Sequence, residues 1–182
     1  MIAREEALRL ILEHVAALPA ETAGLPDCVD RVLAEDLRAA DDLPLFDNSA
    51  MDGYALRAAD CAGASPEAPR VLTVQETLRA GAPRGAEIAS GVATRIMTGA
   101  PLPLGADCVV MQELAQADGD RVRIGRAPEP GQHVRRRGED VKVGERLLAR
   151  GSLLRPYEIA LLAAQGMTRA RVIRRPRVSI VA

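Results

Sequence analysis

The spacing of apolar residues at the start of the chain predicts an amphipathic helix over residues 2–18, which Pro19 ends. The apolar side chains recur every three or four residues, as one helical face requires: Leu8, Ile11, Leu12, Val15 and Leu18. His14 falls near the C-terminal end of this helix, where a histidine usually complements the helix dipole. We therefore interpret His14 as structural and not as a ligand.

The pattern changes between Asp41 and about residue 154. Short apolar runs alternate there with clusters of Gly, Pro and Asp, which is typical of a compact β-rich domain with frequent turns. The runs lie at residues 71–74, 92–97, 108–111, 121–124 and 146–148. The preceding stretch is ambiguous, since residues 28–34 suit one or two helical turns and residues 36–39 suit a strand.

A second helix is predicted at Pro156–Gln165. Pro156 suits the first helical position and Gly166 the position just after the helix, and residues 169–173 then suit a strand. The final apolar run, residues 177–182, is typical of the first buried strand of an α/β unit. We interpret it as the first strand of a further domain beyond this chain; an ordinary edge strand is the alternative.

The composition describes a globular protein of one ordinary domain or two small ones. The 182 residues are 48% hydrophobic and 27% charged, which excludes wholesale disorder and collagen-like repeats. No apolar run approaches the roughly 18 residues of a membrane span, and the first residues lack a signal-peptide pattern. Three scattered cysteines, Cys28, Cys61 and Cys108, form no CxxC pair. They argue against disulfides, and we expect a cytoplasmic location.

The formal net charge of −1 hides two halves of opposite sign. Residues 1–120 hold nine arginines against 20 acidic residues, a net of −11, and residues 121–182 hold 15 basic against five acidic residues, a net of +10. Two readings are open: halves that attract each other within one molecule, or a site for a small anion. Nucleic-acid binding through Arg135–Arg137 and Arg174–Arg177 is a weaker rival, because the protein is not basic and has only three aromatic residues for stacking.

Residues 44–55 form the densest unusual stretch, with two turn-forming sequences in tandem. The side chains of residues 47–49 favour a turn because they bond to nearby backbone amides, and Asp52-Gly53 is a second turn signal. Such a loop can hold the Asp52 carboxylate in a fixed direction to orient Mg²⁺ or a water, or to accept a proton. The alternative is that Asp52 only caps the turn.

A second stretch, residues 95–103, ends a strand at Thr98-Gly99. Glycine lets the backbone approach a ligand and present N–H groups to an anion, and the Thr98 hydroxyl adds a donor. A Thr-Gly pair is common, so the signal is weak alone. In the buried strand that follows, we expect Gln112 and Glu113 to close hydrogen bonds and not to catalyse.

A third stretch, residues 131–140, carries three successive arginines. On a strand, Arg135 and Arg137 would point to one face and Arg136 to the other, so one face would offer two guanidinium groups to a phosphate or an oxyanion. The alternative is an internal network of salt bridges with the neighbouring acidic residues. His133 is a weak candidate for a base, and the chain holds no P-loop, GxSxG or HExxH motif.

Together the three stretches resemble a known family. The similarity is to the N-terminal region of molybdopterin molybdenumtransferases, the MoeA-type proteins, which are related to the E-domain of gephyrin. It is carried, in chain order, by PLFDNSAMDGYA, RIMTGAPLPLGADCVVMQE and GQHVRRRGEDVKVG. Three long motifs in the right order are highly specific, and the resemblance spans nearly the whole chain.

The resemblance implies an α+β, β-rich fold of the MoeA N-terminal type, with helices at both chain ends and an inserted barrel-like β domain. Residues 1–44 and 141–176 would form a discontinuous outer domain for linkage and dimerisation, and residues 45–140 the inserted domain. Residues 177–182 would be the severed first strand of an α/β pterin-binding domain.

The resemblance also implies an activity. Such enzymes insert molybdate into molybdopterin during molybdenum cofactor biosynthesis, acting as homodimers on an adenylated pterin, with Mg²⁺ involved. The upstream molybdopterin adenylyltransferase is a candidate partner, whereas no nucleic acid or membrane is expected. This chain alone would be inactive, because most of the pterin site lies in the following domain. A non-catalytic scaffold of the gephyrin type is the alternative.

Motif matching also implies site residues. Those carried over as catalytic are Asp52, Thr98, Arg135 and Asp140. Asp52 and Asp140 would orient Mg²⁺ or water, whereas Arg135 and Thr98 would contact phosphate or molybdate oxygens. Those carried over for cofactor binding are Ser49, Gly99 and Arg137.

Overall fold

The computed structural model describes residues 2–181, so Met1 and Ala182 lie outside it. Two helices, α1 (Arg4–His14) and α2 (Pro156–Ala164), stand towards the two chain ends, and the remainder is β-rich. The strands are β1 (Ala20–Gly24), β2 (Arg31–Val32), β3 (Leu37–Arg38), β4 (Asn48–Ser49), β5 (Gly53–Leu56), β6 (Arg70–Leu78), β7 (Val92–Ile96), β8 (Cys108–Met111), β9 (Ala115–Asp118), β10 (Arg121–Ile124), β11 (Val134–Arg135), β12 (Arg146–Leu148), β13 (Leu153–Leu154) and β14 (Arg169–Ile173). This confirms the β-rich fold with a helix at each end.

The chain divides into two compact units. Unit 1 is discontinuous and comprises Met1–Asp41 with Val143–Ala182, and unit 2 is Asp42–Lys142. No helix of the described part of the chain is long and apolar enough to cross a membrane.

Unit 1 is held together by three short antiparallel strand pairs: β1 with β14, β2 with β13 and β3 with β12. Its small core consists of Leu25, Cys28, Leu33, Leu154, Leu162, Ala170 and Val172. Helix α2 contributes Leu162 to this core, and Gly166 follows the helix with a φ of 70°, as its glycine predicted. The strand expected near residues 36–39 is β3. The helical turn expected within residues 28–34 is present only at Cys28, which ends a 3₁₀ turn over Leu25–Cys28, since β2 follows at Arg31–Val32.

Unit 2 is built on a curled six-stranded sheet in the order β8-β5-β7-β6-β10-β9. All neighbours are antiparallel except β6 and β7, which are parallel. Strand β5 is buried throughout, and its alternating side chains supply both apolar clusters of the unit: Tyr54 and Leu56 enter one, Ala55 the other. The sheet is therefore covered on both faces at β5, and the strand that follows Asp52 is rigidly held.

Helix α1 is shorter than predicted and is not packed into the core. It ends at His14 because Val15 adopts an extended backbone, with φ −106° and ψ 117°. Its apolar residues Leu8, Ile11 and Leu12 are 52%, 59% and 61% exposed. The helical spacing thus predicted the helix correctly, but no residue of α1 is buried by the described part of the chain.

The last described residues form no strand. Residues 174–181 have no regular secondary structure, and Val178, Ile180 and Val181 are 80–93% exposed. The edge-strand alternative is therefore wrong for residues 177–181, because the described chain offers them no partner strand. Ala182 lies outside the described residues, and a following domain stays a prediction.

Candidate functional site

The candidate site is built on the loop that leads from β4 into β5. Asn48 Nδ2 donates a hydrogen bond to the Phe46 carbonyl (3.2 Å), and Ser49 Oγ donates one to the Met51 carbonyl (2.5 Å). Asn48 and Ser49 are both buried. These internal bonds stiffen the loop, as the tandem turn signals predicted, and they fix the direction of Asp52.

Asp52 binds a distant loop and not its own turn. Its Oδ1 atom accepts hydrogen bonds from the backbone N–H and from the hydroxyl of Thr98, both at 2.8 Å. The two bonds from Thr98, the backbone one foremost, and the nearby charge of Arg95 hold the pKa of Asp52 below its ordinary value. The carboxylate is therefore ionised at neutral pH and held in one direction.

Gly53 lets β5 approach β8 closely beside this carboxylate. A Cβ atom at position 53 would lie 2.0 Å from the Val110 carbonyl oxygen, which no side chain can occupy without moving the backbone. The glycine of the Asp52-Gly53 pair is thus needed for strand packing as well as for the turn.

The Thr98-Gly99 turn is bonded to the same loop. Gly99 has a φ of 79°, and its N–H donates to the Ser49 carbonyl at 2.8 Å. The Ser49 N–H donates in turn to the Ala100 carbonyl at 3.1 Å. The Gly99 N–H therefore has a partner within the protein.

Strand β11 brings the arginine stretch to the other side of the loop. Val134 pairs with Ser49 and Arg135 with Asn48 in an antiparallel ladder. Arg135 then forms an ion pair with Asp140, five residues later. Ser49 thus connects the Thr98-Gly99 turn with the strand that carries Arg135.

The alternation predicted for the three arginines is wrong, because β11 ends at Arg135 and the chain turns. Arg136 Nη1 contacts Asp47 Oδ2 at 2.7 Å, and the backbone N–H of Arg137 donates to Asp47 Oδ1 at 2.8 Å. Arg137 Nε donates to Asp42 Oδ2 at 2.6 Å. All three side chains are ion-paired within unit 2: Arg135 with the neighbouring Asp140, and Arg136 and Arg137 with Asp47 and Asp42 of the acidic part of the chain. Salt bridges are therefore present in this stretch, and its binding of an anion stays a prediction.

The structure thus connects the residues that the sequence motifs singled out. Hydrogen bonds, an ion pair and the peptide bonds between adjacent residues join six of them within unit 2: Ser49, Asp52, Thr98, Gly99, Arg135 and Asp140. Arg137 lies on the same turn and is anchored to Asp47 and Asp42. Their catalytic and binding roles stay predictions.

Sequence reasoning missed Arg95 and the two aspartates that hold the arginines. Arg95 Nη2 donates to Gln112 Oε1 at 3.3 Å, and the backbone N–H of Gln112 donates to the Asp52 carbonyl at 3.0 Å. Gln112 therefore closes hydrogen bonds, as expected. The signal for Arg95 was its position three residues before Thr98 in the same motif, whereas nothing local marked Asp42 or Asp47 as partners of residues some 90 positions away.

His133 has a structural position in the site. Its φ of 54° lies in the left-handed region, and its carbonyl accepts a hydrogen bond from the Ala50 N–H at 2.9 Å. The residue therefore helps to close the loop through its backbone.

The acidic residues of the site do not make a metal cage by themselves. Among residues 2–181, no group of three or more His, Cys, Asp or Glu side chains stands close enough to hold a metal ion. Asp52 Oδ2 and Asp140 Oδ1 each make no hydrogen bond within the described chain. A Mg²⁺ ion at either carboxylate would therefore need water or ligand oxygens to complete its shell, which is how Mg²⁺ is commonly bound.

Comparison with known proteins identifies the family. The sequence profile described as the MoeA N-terminal region (domain I and II) matches residues 2–166. The chain belongs to this family. The MoeA membership confirms the resemblance carried by the three motifs.

Relatives and solved structures agree with this assignment. The chain is 40% identical over 177 residues to molybdopterin molybdenumtransferase 2 of Mycobacterium tuberculosis (strain CDC 1551 / Oshkosh), covering 97% of this chain and 44% of that protein. It is 43% identical over 164 residues to the molybdopterin molybdenumtransferase of Synechococcus elongatus, covering 88% and 41%. A crystal structure of the molybdopterin biosynthesis MoeA protein from Pyrococcus horikoshii OT3 superposes with a TM-score of 0.89 at 40% identity, over 95% of this chain and 46% of that one. This MoeA-family chain thus spans less than half the length of the proteins it matches.

Proposed function

We propose that this chain is the N-terminal part of an enzyme that inserts molybdate into molybdopterin, and that unit 2 supplies one wall of its site. The observation that carries the proposal is the set of direct contacts joining the motif residues: Asp52 to Thr98, and Arg135 to Asp140, both anchored on the loop around Ser49. The names of the curated relatives support the same activity.

Asp52 and Thr98 have different roles in this proposal. Asp52 is ionised at neutral pH and keeps Oδ2 without a hydrogen bond from the described chain, so this oxygen is offered to a ligand. The Thr98 hydroxyl already donates its proton to Asp52. Thr98 is therefore a positioning residue, which aims the Asp52 carboxylate, and is not the donor to a phosphate oxygen.

Arg135 is the group that suits an oxyanion. A guanidinium carries five N–H donors, and the contact with Asp140 engages only one of its nitrogen atoms. The remaining donors suit phosphate or molybdate oxygens, and the Asp140 carboxylate holds the planar group in place. Arg137, Ser49 and Gly99 shape the surrounding backbone.

Mg²⁺ fits the donor set only as an ion shared with the substrate. Asp52 and Asp140 would each offer one carboxylate oxygen, the ligand type that Mg²⁺ prefers. When bound, the ion would neutralise negative charge on phosphate oxygens.

The proposal also includes a homodimer, a partner enzyme and a cytoplasmic location. A homodimer suits the exposed apolar face of α1, and the upstream molybdopterin adenylyltransferase would supply the adenylated pterin. A cytoplasmic location suits three cysteines that are all free and buried.

A chimera tests the proposal. The matching segment of the Synechococcus elongatus relative is replaced by this chain, and the fusion is introduced into a bacterial strain that lacks molybdenum insertion. We expect restored nitrate reductase activity, an indicator of cofactor formation, and a fall of about a hundredfold in that activity for Asp52→Ala. The matched control is Asp118→Ala, since Asp118 is an exposed aspartate of β9 whose side chain is 68% accessible.

The outcomes separate the two functions. Full activity of Asp52→Ala with a normally folded protein would remove Asp52 from the site. A chimera that folds but restores no activity, where the intact relative does, would favour the non-catalytic scaffold. Turnover by the 182-residue chain on its own would contradict the assignment of most of the pterin site to a following domain.

A further inference from the structure

Unit 1 holds a polar cavity of about 530 Å³ that takes no part in the proposed molybdenum site. It lies between β1, the start of β2 and the chain that follows β14. Four arginines and two acidic residues line it together with two prolines: Arg31, Arg174, Arg175, Arg177, Glu21 and Asp27. Its formal charge is therefore +2.

Arg31 is the most buried of the four arginines that line this cavity. Its side chain is only 7% exposed, it is ion-paired with Glu21, and its Nη2 donates to the Ile173 carbonyl at 2.9 Å. Its Nε atom is buried and makes no hydrogen bond within residues 2–181. A buried donor without a partner is unfavourable. Arg31 therefore brings a buried guanidinium charge to the lining, of which the ion pair with Glu21 neutralises one unit.

The rim of the cavity adds cationic groups. The chain is fixed there by the Arg174 N–H, which donates to the Pro19 carbonyl at 3.0 Å, and by Arg175 Nη2, which donates to the Val29 carbonyl at 3.2 Å. The guanidinium groups of Arg174 and Arg177 have no hydrogen bond or ion pair in the described part of the chain. Their mutual repulsion is relieved most directly by a bound anion.

We propose that this cavity binds a small organic phosphate. A phosphate dianion matches the formal charge of +2, and guanidinium groups recognise phosphate oxygens by paired N–H donors. The volume lies within the range of small-molecule sites, roughly 300–1,000 Å³, and exceeds what a lone phosphate fills. Asp27 is the one acidic residue of the lining without an ion-pair partner in the described chain, so it opposes the anion and sets an upper limit on its charge.

The test is a titration of the 182-residue chain followed through the arginine Nε–Hε signals in ¹H–¹⁵N spectra, at constant ionic strength. The probes are inorganic phosphate and ribose 5-phosphate. We expect saturable shifts at Arg31, Arg174 and Arg177, with tighter binding of the sugar phosphate because it fills more of the cavity. The Arg31 signal is the decisive one, because this side chain is buried and does not respond to ions that merely gather at the surface.

Three variants should change the affinity in different ways. Loss of two charge-assisted partners in Arg174→Ala/Arg177→Ala should weaken binding at least about tenfold, and Asp27→Asn should strengthen it by about threefold, since a like charge is removed. Arg121→Ala, which removes an exposed arginine of unit 2, should leave the affinity unchanged. Non-saturable shifts, or equal losses from Arg121→Ala and from the double variant, would overturn the proposal.

Discussion

Asp52 and Thr98 are joined by a two-point contact across 46 residues of sequence: one carboxylate oxygen accepts both the backbone N–H and the hydroxyl of Thr98, each at 2.8 Å. The contact ties the loop before β5 to the turn after β7. Because both donors favour the charged carboxylate, the same contact lowers the pKa of Asp52 and fixes its direction.

Removal of the Thr98 hydroxyl should raise the pKa of Asp52. In Thr98→Val the side-chain donor is lost, but the backbone N–H, the larger cause, remains, so the pKa should stay below its ordinary value. Thr98→Ser keeps the hydroxyl and is the matched control. ¹³C spectra of the Asp52 carboxyl group during a pH titration measure the change, and identical titration curves for all three proteins would refute the assignment.

The loss of stability caused by Thr98→Val should depend on pH. A carboxylate whose pKa is lowered on folding stabilises the native state above its unfolded pKa, and this contribution disappears as the pH falls through the folded pKa. Wild-type protein and Thr98→Val should therefore differ in free energy of unfolding at neutral pH, and the pKa-dependent part of that difference should vanish in acid. Urea unfolding at several pH values tests this.

Replacement of Gly53 by alanine should destabilise unit 2. The new methyl group would overlap the Val110 carbonyl oxygen and push β5 away from β8, at a cost of roughly 1–3 kcal/mol or more. Gly125→Ala is the control, since its nearest neighbour would be 3.7 Å away. Thermal unfolding should show a clear loss for the first variant and little change for the second.

The Gln165 side chain should contribute to the stability of unit 1. It is 5% exposed; its Oε1 accepts from the N–H groups of Ala40 (2.8 Å) and Asp41 (3.1 Å), and its Nε2 donates to the Asp41 carbonyl. Gln165→Leu leaves these backbone groups without partners, which should cost about 1–3 kcal/mol. The exposed Gln116→Leu is the comparison, and equal denaturation midpoints for both variants would contradict this role.

The three thiols should be unreactive in the native protein. All are free and buried, burial raises the pKa of Cys61 to about 11, and it also raises the pKa values of Cys28 and Cys108. Alkylation by iodoacetamide near neutral pH should therefore require unfolding, because the thiolate is the reactive form. Ala117→Cys, at an exposed position of β9, should react rapidly and supplies the control. Rapid modification of the wild-type chain would contradict the buried placement.

Charged residues on α1 should weaken self-association if the apolar face of this helix contacts a second copy. Leu8 and Leu12 lie one helical turn apart, and both are more than half exposed. Leu8→Glu/Leu12→Glu should shift sedimentation velocity profiles towards monomer, whereas Glu5→Gln should not. An unaltered distribution for the double variant would exclude α1 from the contact.

Local patterns predicted α2 and the strands that are rich in aliphatic residues, such as β6, β7, β8 and β10. They did not predict β1 and β9, whose residues are mostly small or polar, because pairing with a neighbouring strand decides their conformation. The ends of α2 follow from Pro156 and from Gly166, whose positive φ suits glycine. Residues 177–181 show the limit: their apolar composition suits a strand, but a strand needs partners.

The candidate site was less accessible to local reasoning. The Asp52-Gly53 turn was visible, whereas its bond to Thr98 depends on how β5 and β7 pair. The turn that carries Arg136 and Arg137 was also predicted incorrectly, because distant contacts determine it. Periodicity assumed that the strand continued beyond Arg135, and distant aspartates decided where Arg136 and Arg137 point.

The two ends of the segment that forms unit 2 lie next to each other. Leu43 and Val141, the second and the next-to-last residues of unit 2, exchange backbone hydrogen bonds of 2.8 and 3.1 Å, so the two ends of this segment are neighbours. A segment with adjacent ends can be removed, transplanted between homologues or circularly permuted with only a short joint. Replacement of residues 42–142 by the matching segment of a homologue would therefore require two joints that lie side by side.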